Sequence, residues 1–431
     1  MVRHIFYSMT MSVENIAQDL RDRGLISQEG GGEANAFLAE KRKAYLGIDP
    51  TADSLQVGNL VPVLLLKRLA DAGHEIVFIV GGGTGMIGDP RESGERVLLD
   101  DETVAKNTSA IKKQLSGIFG DKQYEIFNNA DWLTKLGIIE FLRDIAKHFT
   151  VNQLVKRDII KKRLEAEDAL SFTEFSYSLL QGYDFLHLYK TEGVDLQVGG
   201  SDQWANIISG VDLIRRKESA SAYALTTPII EDKRTGKKFG KSEGNAVWLD
   251  PEKTSPFAFY QFWFNLPDDG LEEYLNIFTL MSRTEIAEIM VEHAKEPQKR
   301  VGQRALARAV TSLVHGADAA GREERISDII FGGDFSVTDL SDDDLHALVN
   351  SLRPNSVTNT ELEQGFGISS ALVHAGLAPS KSEARRLVES GAVSVNGVPV
   401  SGPDFMVTAD TFTRGILFMR AGKKTAFLKM E

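Results

Sequence analysis

The feature that most constrains the fold is the alternation of short apolar runs with amphipathic stretches over the first half of the chain. The runs KAYLGID and HEIVFIVGG suit a buried sheet, and GNLVPVLLLKRLADAG between them predicts a helix that ends at Gly73. The segments YEIFNN, VDLQVGG and QWANIISGVDLIRRK continue the pattern. Strands that alternate with helices favour a parallel sheet covered on both faces, whose ligands bind at the carboxyl ends of the strands. We therefore expect an α/β domain there.

The rest of the chain has a different character. From about Thr254 the strand signal fades, and patterns such as TEIAEIMVEHAKE predict helices. A polar passage, RPNSVTNTELEQGFG, predicts a linker. After it, SKSEARRLVESGAVSVNGVPV predicts a helix capped by Ser380 and a hairpin that turns at Asn396-Gly397. The expected segments are an α/β domain with an N-terminal extension (1–235), a loop and helical domain (236–350), a linker (351–366) and a small α+β domain (367–431).

Composition argues against several classes of protein. With 49 Lys or Arg and 61 Asp or Glu, the net charge of −12 argues against a protein that coats nucleic acid nonspecifically. The chain has no cysteine, and its eight histidines form no HxxxH pair, so no structural metal site is expected. No apolar run reaches the ~18 residues of a spanning helix, and the N-terminal residues lack the long apolar stretch of a secretory signal. We expect a cytoplasmic protein with no membrane partner.

The segment DPTADSLQVGN, residues 49–59, joins the first of these strands to the predicted helix. A helix N-terminus presents unpaired N–H groups that bind anions, and Asp53 or Ser54 could cap it. Gly58 has no side chain, so a flat base could approach the backbone there. An ordinary crossover helix with a capped start explains this segment equally well when it is taken alone.

Two other segments carry polar groups in patterns that suit a ligand. In KKFGKSEGN, Lys238 and Lys241 can converge on one polyphosphate if the loop folds over it, although solvated surface charges are the alternative. In FTEFSYSLLQGYDFLHLY, Tyr177, Gln181 and Asp184 share one helix face, which turns either to a polar ligand or to water. Neither segment is decisive alone.

A glycine pattern in GTGMIG is easily overinterpreted. Gly83, Gly85 and Gly88 match the dinucleotide-binding GxGxxG pattern. That pattern works because its glycines open directly into a helix, whereas the turn-rich DPRESGER follows here. We interpret the segment as a loop whose glycines let backbone approach a ligand.

Taken together and in this order, the segments resemble bacterial-type tyrosyl-tRNA synthetases, which are class I aminoacyl-tRNA synthetases. DPTADSLQVGN occupies the position of the HIGH signature, KFGKS that of KMSKS, and YSLLQGYD with QVGGSDQW those of the amino-acid and ATP pockets. The resemblance implies a Rossmann-like parallel-sheet catalytic domain, an α-helical domain and a small C-terminal S4-like α+β RNA-binding domain. It also implies that a homodimer activates tyrosine with ATP and transfers it to tRNA(Tyr).

The resemblance also assigns roles to residues. The implied tyrosine-binding residues are Tyr45, Asp89, Asn129, Tyr177, Gln181, Asp184 and Gln203. The implied ATP-binding residues are Asp49, Gly58, Gly200, Asp202 and Lys241. The implied catalytic residues, which hold the phosphates, are Thr51, Gln56, Asn59, Lys238, Lys241 and Ser242, with Arg96 as a further phosphate contact. The implied RNA-binding residues are Lys381, Arg385 and Arg386. ATP would enter as a substrate with Mg²⁺, and no protein-bound metal is expected.

The signature segment departs from the family pattern at two positions. Gln56 and Asn59 stand where the HIGH signature has histidines. Amides donate the same neutral hydrogen bonds as imidazole but do not titrate near ~6.5. The role survives if it is hydrogen bonding and fails if it is proton transfer. A synthetase-like regulator without catalysis and a tryptophan-specific synthetase are therefore the rival interpretations; the lysines of the loop argue against the first, and Tyr45 with Asp184 against the second.

Overall fold

The structure is a computed structural model of the 431-residue chain, and it describes residues 16–90, 99–120, 122, 124–233, 236, 238–242, 245–331, 340–352, 354–422 and 424–431. The chain forms two compact units. One contains the residues up to Lys253 together with Pro267–Gly302, and the other contains Thr254–Leu266 together with Gln303–Glu431. Within the described ranges, no helix is both long and apolar enough to cross a membrane.

The first unit is built on a six-stranded sheet. Its strands are β1 (Gln28–Gly30), β2 (Lys43–Ile48), β3 (Glu75–Val80), β4 (Glu125–Asn128), β5 (Leu196–Gly200) and β6 (Tyr223–Thr227). The spatial order is β1-β6-β5-β2-β3-β4, and every pair is parallel except β1 with β6. The predicted Rossmann-like parallel sheet is confirmed. Because the chain runs from β2 to β3 on one side and returns through β5 on the other, a crevice opens between the carboxyl ends of β2 and β5.

Helices cover this sheet, and most of the predicted ones are present. The helices of this region are α1 (Ile16–Asp22), α2 (Ala34–Phe37), α3 (Leu60–Asp71), α4 (Gly82–Gly85), α5 (Asp101–Phe119), α6 (Ala130–Leu133), α7 (Ile138–Glu140), α8 (Val151–Leu154), α9 (Asp158–Glu165), α10 (Phe172–Glu192) and α11 (Trp204–Glu218). The predicted crossover helix is α3, entered through one 3₁₀ turn at Val57–Asn59 and followed by Gly73 at φ +97°. The stretch LGIIEFLRDIAKHF winds irregularly, with a π turn at Phe141–Ile145 after α7.

Helix α10 is held against the sheet by its apolar side chains and by both of its ends. Phe185 and Leu186 pack with Tyr45 and other sheet residues in one buried cluster. Ser171 and Glu174 form a capping box at its start, and Gly193 ends it in the left-handed conformation. This anchoring fixes which side chains of α10 face the crevice.

The remaining elements lie after residue 240. The strands are β7 (Lys241–Ser242), β8 (Asn245–Ala246), β9 (Asn355–Val357), β10 (Phe366–Gly367), β11 (Val393–Val395), β12 (Val398–Pro399), β13 (Met406–Val407), β14 (Ile416–Ala421) and β15 (Lys424–Met430). The helices are α12 (Pro256–Phe264), α13 (Leu271–Phe278), α14 (Arg283–Lys295), α15 (Val301–His315), α16 (Ala317–Phe331), α17 (Asp342–Leu352), α18 (Asn359–Glu363), α19 (Ile368–His374) and α20 (Lys381–Glu389).

A five-stranded sheet of order β12-β11-β14-β15-β9 organises the C-terminal part. Residues 351–366, for which the sequence predicts a linker, contain β9, which pairs in parallel with β15, and α18. Because these residues are mostly polar, their sequence does not indicate the short strand β9 at the edge of the sheet. The predicted hairpin turn is confirmed, with positive φ at Asn396 and Gly397 between β11 and β12.

The central strand β14 of this C-terminal sheet is buried on both faces. On one face Leu417 and Met419 belong to a cluster with apolar residues of α19 and α20. On the other, Phe418 joins apolar residues of α12 and α16. Arg420 Nη2 also donates to the carbonyl oxygen of Ile330 at the end of α16 (2.9 Å). The C-terminal sheet is therefore docked on helices of the same unit.

Candidate active site

A cavity of about 410 Å³ opens at the carboxyl ends of β2 and β5, where the strand order reverses. The predicted site residues that line it are Tyr45, Asp49, Thr51, Gln56, Gly58, Asn59, Asp89, Tyr177, Gln181, Asp184, Gly200, Asp202, Gln203 and Lys238. Asn129 is fully buried and contacts one of the lining residues, Asp184. The fold thus gathers segments that are far apart in the sequence around one cavity.

One end of the cavity is built to hydrogen-bond a hydroxyl group. Asp184 accepts from Trp132 Nε1 (2.7 Å) and from Asn129 Nδ2 (2.9 Å). The Tyr45 hydroxyl is buried and has no hydrogen-bond partner among the described residues. Burial raises the pKa of Asp184 to about 7 and that of Tyr45 well above its usual value. A ligand hydroxyl placed here would accept a hydrogen bond from the Tyr45 O–H and donate one to the Asp184 carboxylate.

A chain of hydrogen bonds leads from this end toward the middle of the cavity. Asn129 Nδ2 donates to Thr84 Oγ1 (2.9 Å), which donates to Asp49 Oδ1 (2.9 Å). The Tyr177 hydroxyl donates to Asp49 Oδ2 (2.8 Å). Burial and the charge of Asp49 raise the pKa of Tyr177 well above its usual value. Since the Tyr177 O–H donates its hydrogen bond to Asp49, the Tyr177 oxygen is left to accept from a ligand.

A second carboxylate completes this part of the wall. Asp89 accepts from Gln203 Nε2 (2.8 Å) and from Asn206 Nδ2 (3.3 Å). Behind them, Arg157 Nη1 donates to Asn206 Oδ1 (3.3 Å), and burial lowers the pKa of Arg157 to about 10. With the carboxylates of Asp49 and Asp89 both bordering the cavity, this region suits a cationic group of a ligand.

The uncharged segment Gln56–Asn59 forms the opposite wall. Asn59 Oδ1 accepts from the Gln56 backbone N–H (2.9 Å), and Gly58 and Asn59 are exposed at the cavity. The expected caps are wrong: Asp53 pairs with Lys253 and Lys106 instead, and Ser54 Oγ accepts from the side chain of Gln114 and from the backbone of Asp250. The start of α3 is therefore capped not by Asp53 or Ser54 but by Gln56 and Asn59, which form a capping box.

The lysine loop lies beside this wall. Lys238 Nζ is 3.7 Å from Asp202 Oδ2, and both side chains are largely exposed. The next residue, Phe239, is buried against Tyr274 and Phe278, with ring centroids 4.9 and 5.2 Å apart. Phe239 therefore anchors the base of the loop, and Lys238 borders the cavity beside Asp202.

Some predicted residues lie outside the described part of the chain. The backbone of Lys241 and Ser242 forms β7, but their side chains are not among the described ones, and neither is Arg96. Among the described residues, no group of three or more His, Asp or Glu side chains could hold a metal ion.

The three predicted RNA-binding residues are exposed on α20. The helix begins as predicted, because Ser380 Oγ accepts from the backbone N–H of Glu383 (3.3 Å). Arg385 pairs with Glu389 (2.8 Å) and Arg386 with Glu383 (3.0 Å). Lys381 lies at the start of the same helix. Because exposed pairs of this kind contribute little to stability, a phosphate can replace either glutamate as the partner.

Sequence reasoning missed four polar residues of this site. Thr84, Trp132 and Asn206 are ordinary residues in their own segments, and only the fold brings them to the carboxylates. Gln197 had a signal: it is the one polar side chain of the buried strand LQVGG. It lies beside Tyr45 across β2 and β5, and its Oε1 has no hydrogen-bond partner among the described residues.

Comparisons with known proteins identify the family. Residues 39–332 match the family model of class I tRNA synthetases (W and Y), and residues 350–429 match that of the tyrosine–tRNA ligase SYY-like C-terminal domain. A tyrosine–tRNA ligase of Roseiflexus castenholzii is 43% identical over 95% of this chain and 97% of its own length. Tyrosine–tRNA ligase 1 of Bacillus cereus is 44% identical over 96% and 99%.

Solved structures agree with this assignment. A C-terminally truncated mitochondrial tyrosyl-tRNA synthetase of Aspergillus nidulans superposes with a TM-score of 0.66 at 31% identity, covering 73% of this chain and 94% of that one. A tryptophanyl-tRNA synthetase of Encephalitozoon cuniculi shares the fold, with a TM-score of 0.53 at 14% identity over 79% and 94%. The chain belongs to the class I tRNA synthetases of the tryptophan and tyrosine type, among the bacterial tyrosine–tRNA ligases.

Proposed function

We propose that this chain activates tyrosine with ATP, releasing pyrophosphate, and then transfers the tyrosyl group to tRNA(Tyr). The observation that carries the proposal is the buried pair at the closed end of the cavity, a Tyr45 hydroxyl with no described partner beside the Asp184 carboxylate. Such a pair is satisfied by a phenol, which accepts one hydrogen bond and donates another. Phenylalanine would leave both groups unpaired, so the site favours tyrosine over phenylalanine. Tyrosine-specific synthetases are themselves the standard example of this kind of discrimination.

We infer that the ammonium group of tyrosine lies between Tyr177, Gln181, Asp89 and Gln203. Asp89 supplies the compensating charge, and the Tyr177 oxygen accepts from the ammonium group because the Tyr177 O–H donates to Asp49. Asn129 contributes from behind the wall by orienting Asp184. Tyrosine would thus be held at both ends, which fixes the position of its carboxylate.

ATP is proposed to bind across the mouth of the crevice, at Asp49, Gly58, Gly200 and Asp202. A Cβ on Gly200 would lie 2.6 Å from Asp202 Oδ1, so glycine leaves the space in which a ribose can reach that carboxylate. The phosphates would meet the start of α3 at Thr51, Gln56 and Asn59, and Lys238, Lys241 and Ser242 from the loop. ATP would enter as its Mg²⁺ complex, and we propose no metal site made of protein side chains alone.

Activation needs positioning and charge stabilisation rather than a protein nucleophile. The carboxylate oxygen of tyrosine attacks the α-phosphorus of ATP, and the bond to pyrophosphate breaks as the new O–P bond forms. Negative charge then grows on the leaving pyrophosphate. The amides of Gln56 and Asn59 and the loop lysines stabilise that charge through hydrogen bonds and Coulomb attraction.

The transfer step needs an RNA surface, which we assign to the S4-like region, residues 367–431, with Lys381, Arg385 and Arg386 as phosphate contacts. We further propose a homodimer. We assign to its interface six apolar side chains within residues 138–172 that are 47% to 75% exposed: Ile138, Ile139, Leu142, Val151, Leu164 and Phe172. Because charged tRNA is consumed by ribosomes, we place the enzyme in the cytoplasm.

The test is tyrosine-dependent exchange of labelled pyrophosphate into ATP. We expect exchange with tyrosine, none with tryptophan, and charging of tRNA(Tyr) on adding tRNA. No exchange at saturating tyrosine and ATP would refute the enzyme and leave a tyrosine-binding or tRNA-binding regulator. Exchange with tryptophan but not tyrosine would refute the specificity.

A further inference from the structure

We propose that Thr84 is a positioning residue of the tyrosine site, whose hydroxyl joins the side that recognises the phenol to the side that recognises the ammonium group. The inference rests on the proposed function. It concerns the middle of the hydrogen-bond chain Asn129, Thr84, Asp49, Tyr177.

The direction of each hydrogen bond follows from the one before. Asn129 Oδ1 accepts from the backbone N–H of Gly83 (2.8 Å), which fixes the carboxamide with its NH₂ group turned to Asp184 and Thr84. Thr84 Oγ1 must therefore accept from Asn129. Its own proton is then directed to Asp49 Oδ1, 2.9 Å away.

The fixed directions of these hydrogen bonds also determine how Tyr177 meets the ligand. Asp49 receives Thr84 at one oxygen and the Tyr177 hydroxyl at the other. A carboxylate held at both oxygens cannot rotate without breaking one of these bonds. Tyr177 is consequently kept as a donor to Asp49, and its oxygen lone pairs remain directed to the ammonium group. Thr84 acts on the ligand through Asp49 and Tyr177, although it borders the cavity.

The Thr84 hydroxyl is tightly packed between its two hydrogen-bond partners. Thr84 is 3% exposed. A Cβ on Gly81 would lie 2.1 Å from Asp49 Oδ1 and 2.4 Å from Thr84 Oγ1, so the backbone touches both partners. The hydroxyl is therefore enclosed by backbone and by its two partners, and its loss cannot be compensated by a shift of Asp49 toward Gly81.

The experiment compares Thr84→Val, which keeps the shape and removes the hydroxyl, with Thr84→Ser, which keeps the hydroxyl. Pyrophosphate exchange gives KM for tyrosine and kcat, and inhibition by 3-(4-hydroxyphenyl)propionate reports a ligand that has the phenol but lacks the ammonium group. We expect Thr84→Val to raise KM for tyrosine about tenfold, with a smaller change in inhibition by the analogue. Thr84→Ser should stay within about threefold of the wild type, because it keeps both hydrogen bonds.

Thr108→Val is the matched control, because Thr108 is buried in the same unit and its hydroxyl has no hydrogen-bond partner within the described residues. It should leave KM unchanged. In a Tyr177→Phe background, Thr84→Val should add less than about twofold, since its route to the ligand is already removed. If Thr84→Val does not fold, Thr84→Ala is examined with the same two ligands.

Equal losses for tyrosine and the analogue, equal losses in the Val and Ser variants, or full additivity with Tyr177→Phe would overturn the inference. A wild-type chain without tyrosine-dependent exchange would instead refute the proposed function. An active wild type whose Thr84→Val variant has an unchanged KM refutes the role of Thr84 alone.

Discussion

Gly240→Ala tests whether the lysine loop must stay locked to the start of α3. Gly240 has φ +83°, and a Cβ there would lie 2.2 Å from Cγ2 of the fully buried Val57. The Val247 N–H donates to the Gly240 carbonyl (2.9 Å), and the Val57 N–H to the Val247 carbonyl (3.1 Å). The loop and the helix entrance are thus in direct contact through a residue that has to be glycine.

The size of the effect follows from two terms. The left-handed conformation costs an alanine ~1–2 kcal/mol relative to glycine. Overpacking a methyl group against a buried side chain costs a further ~1–3 kcal/mol. The loop escapes both costs by moving away, which takes Lys238 from the phosphates. Restoring the productive position in the transition state then costs roughly 2–5 kcal/mol, or about 30- to 5,000-fold in rate. Tyrosine binding, at the other end of the cavity, should not change.

The assay is initial-rate pyrophosphate exchange at saturating substrates, with tyrosine affinity followed by intrinsic fluorescence. Adding Val57→Ala to Gly240→Ala removes the clashing methyl, so the double variant should recover to within about 30-fold of Val57→Ala alone. Gly193→Ala is the control for backbone strain alone, because Gly193 has φ +69° and an added methyl would meet no described atom within 4 Å. Exchange by Gly240→Ala at the rate of Gly193→Ala, or no rescue by Val57→Ala, would refute the reasoning.

Four other changes probe different parts of the chain. Burial raises the pKa of Asp184 to about 7, and the charged carboxylate is the better hydrogen-bond acceptor. Tyrosine affinity measured by calorimetry should therefore fall up to about tenfold per pH unit below pH 7, whereas the affinity of Asp184→Asn should not change with pH there. A flat profile for the wild type would contradict this prediction. Gln56→Ala should slow exchange about tenfold without changing tyrosine affinity in the absence of ATP; weakened tyrosine binding alone would place Gln56 away from the phosphates. Phe172→Asp should give a monomer in sedimentation equilibrium, whereas Val291→Asp, at a 64% exposed site of α14, should not; an unchanged dimer excludes Phe172 from the interface. Phe418→Ala should lower the free energy of unfolding by about 3–5 kcal/mol in denaturant titration and leave exchange unchanged; slower exchange would show that the docked sheet acts on the first unit.

The sheet and the cavity position could be predicted from the sequence because each rests on a local pattern. Apolar runs of strand length before and after the α3 pattern predict parallel strands whatever lies between them. The carboxyl ends of such strands are where polar residues collect, so DPTADS after β2 and GGSD at the end of β5 indicated the crevice without any distance information. The spacing of Tyr177 and Asp184 likewise predicted one helix face, and both side chains line the cavity.

What could not be predicted depends on contacts between distant segments. β1 is three residues long and pairs antiparallel with β6, so neither its length nor its alternation distinguishes it from a loop. Thr84 lies in a glycine-rich motif, and that motif does not indicate its hydrogen bonds with Asp49 and Asn129. The caps assigned to Asp53 and Ser54 failed for the opposite reason. The local spacing favoured both residues as caps, but both side chains instead bind partners from α5 and from the segment after β8.

The two amides at the signature positions differ from histidines in a way that the structure makes specific. Asn59 uses its carboxamide oxygen to accept from the Gln56 backbone N–H (2.9 Å), so the turn itself decides which way the amide faces. The NH₂ group is then the part left for the cavity, and it offers donors only. A residue held in this way can stabilise negative charge on a phosphate but cannot take up or deliver a proton. The signature positions therefore act through hydrogen bonding, and neither amide should contribute to the pH dependence of the activation rate.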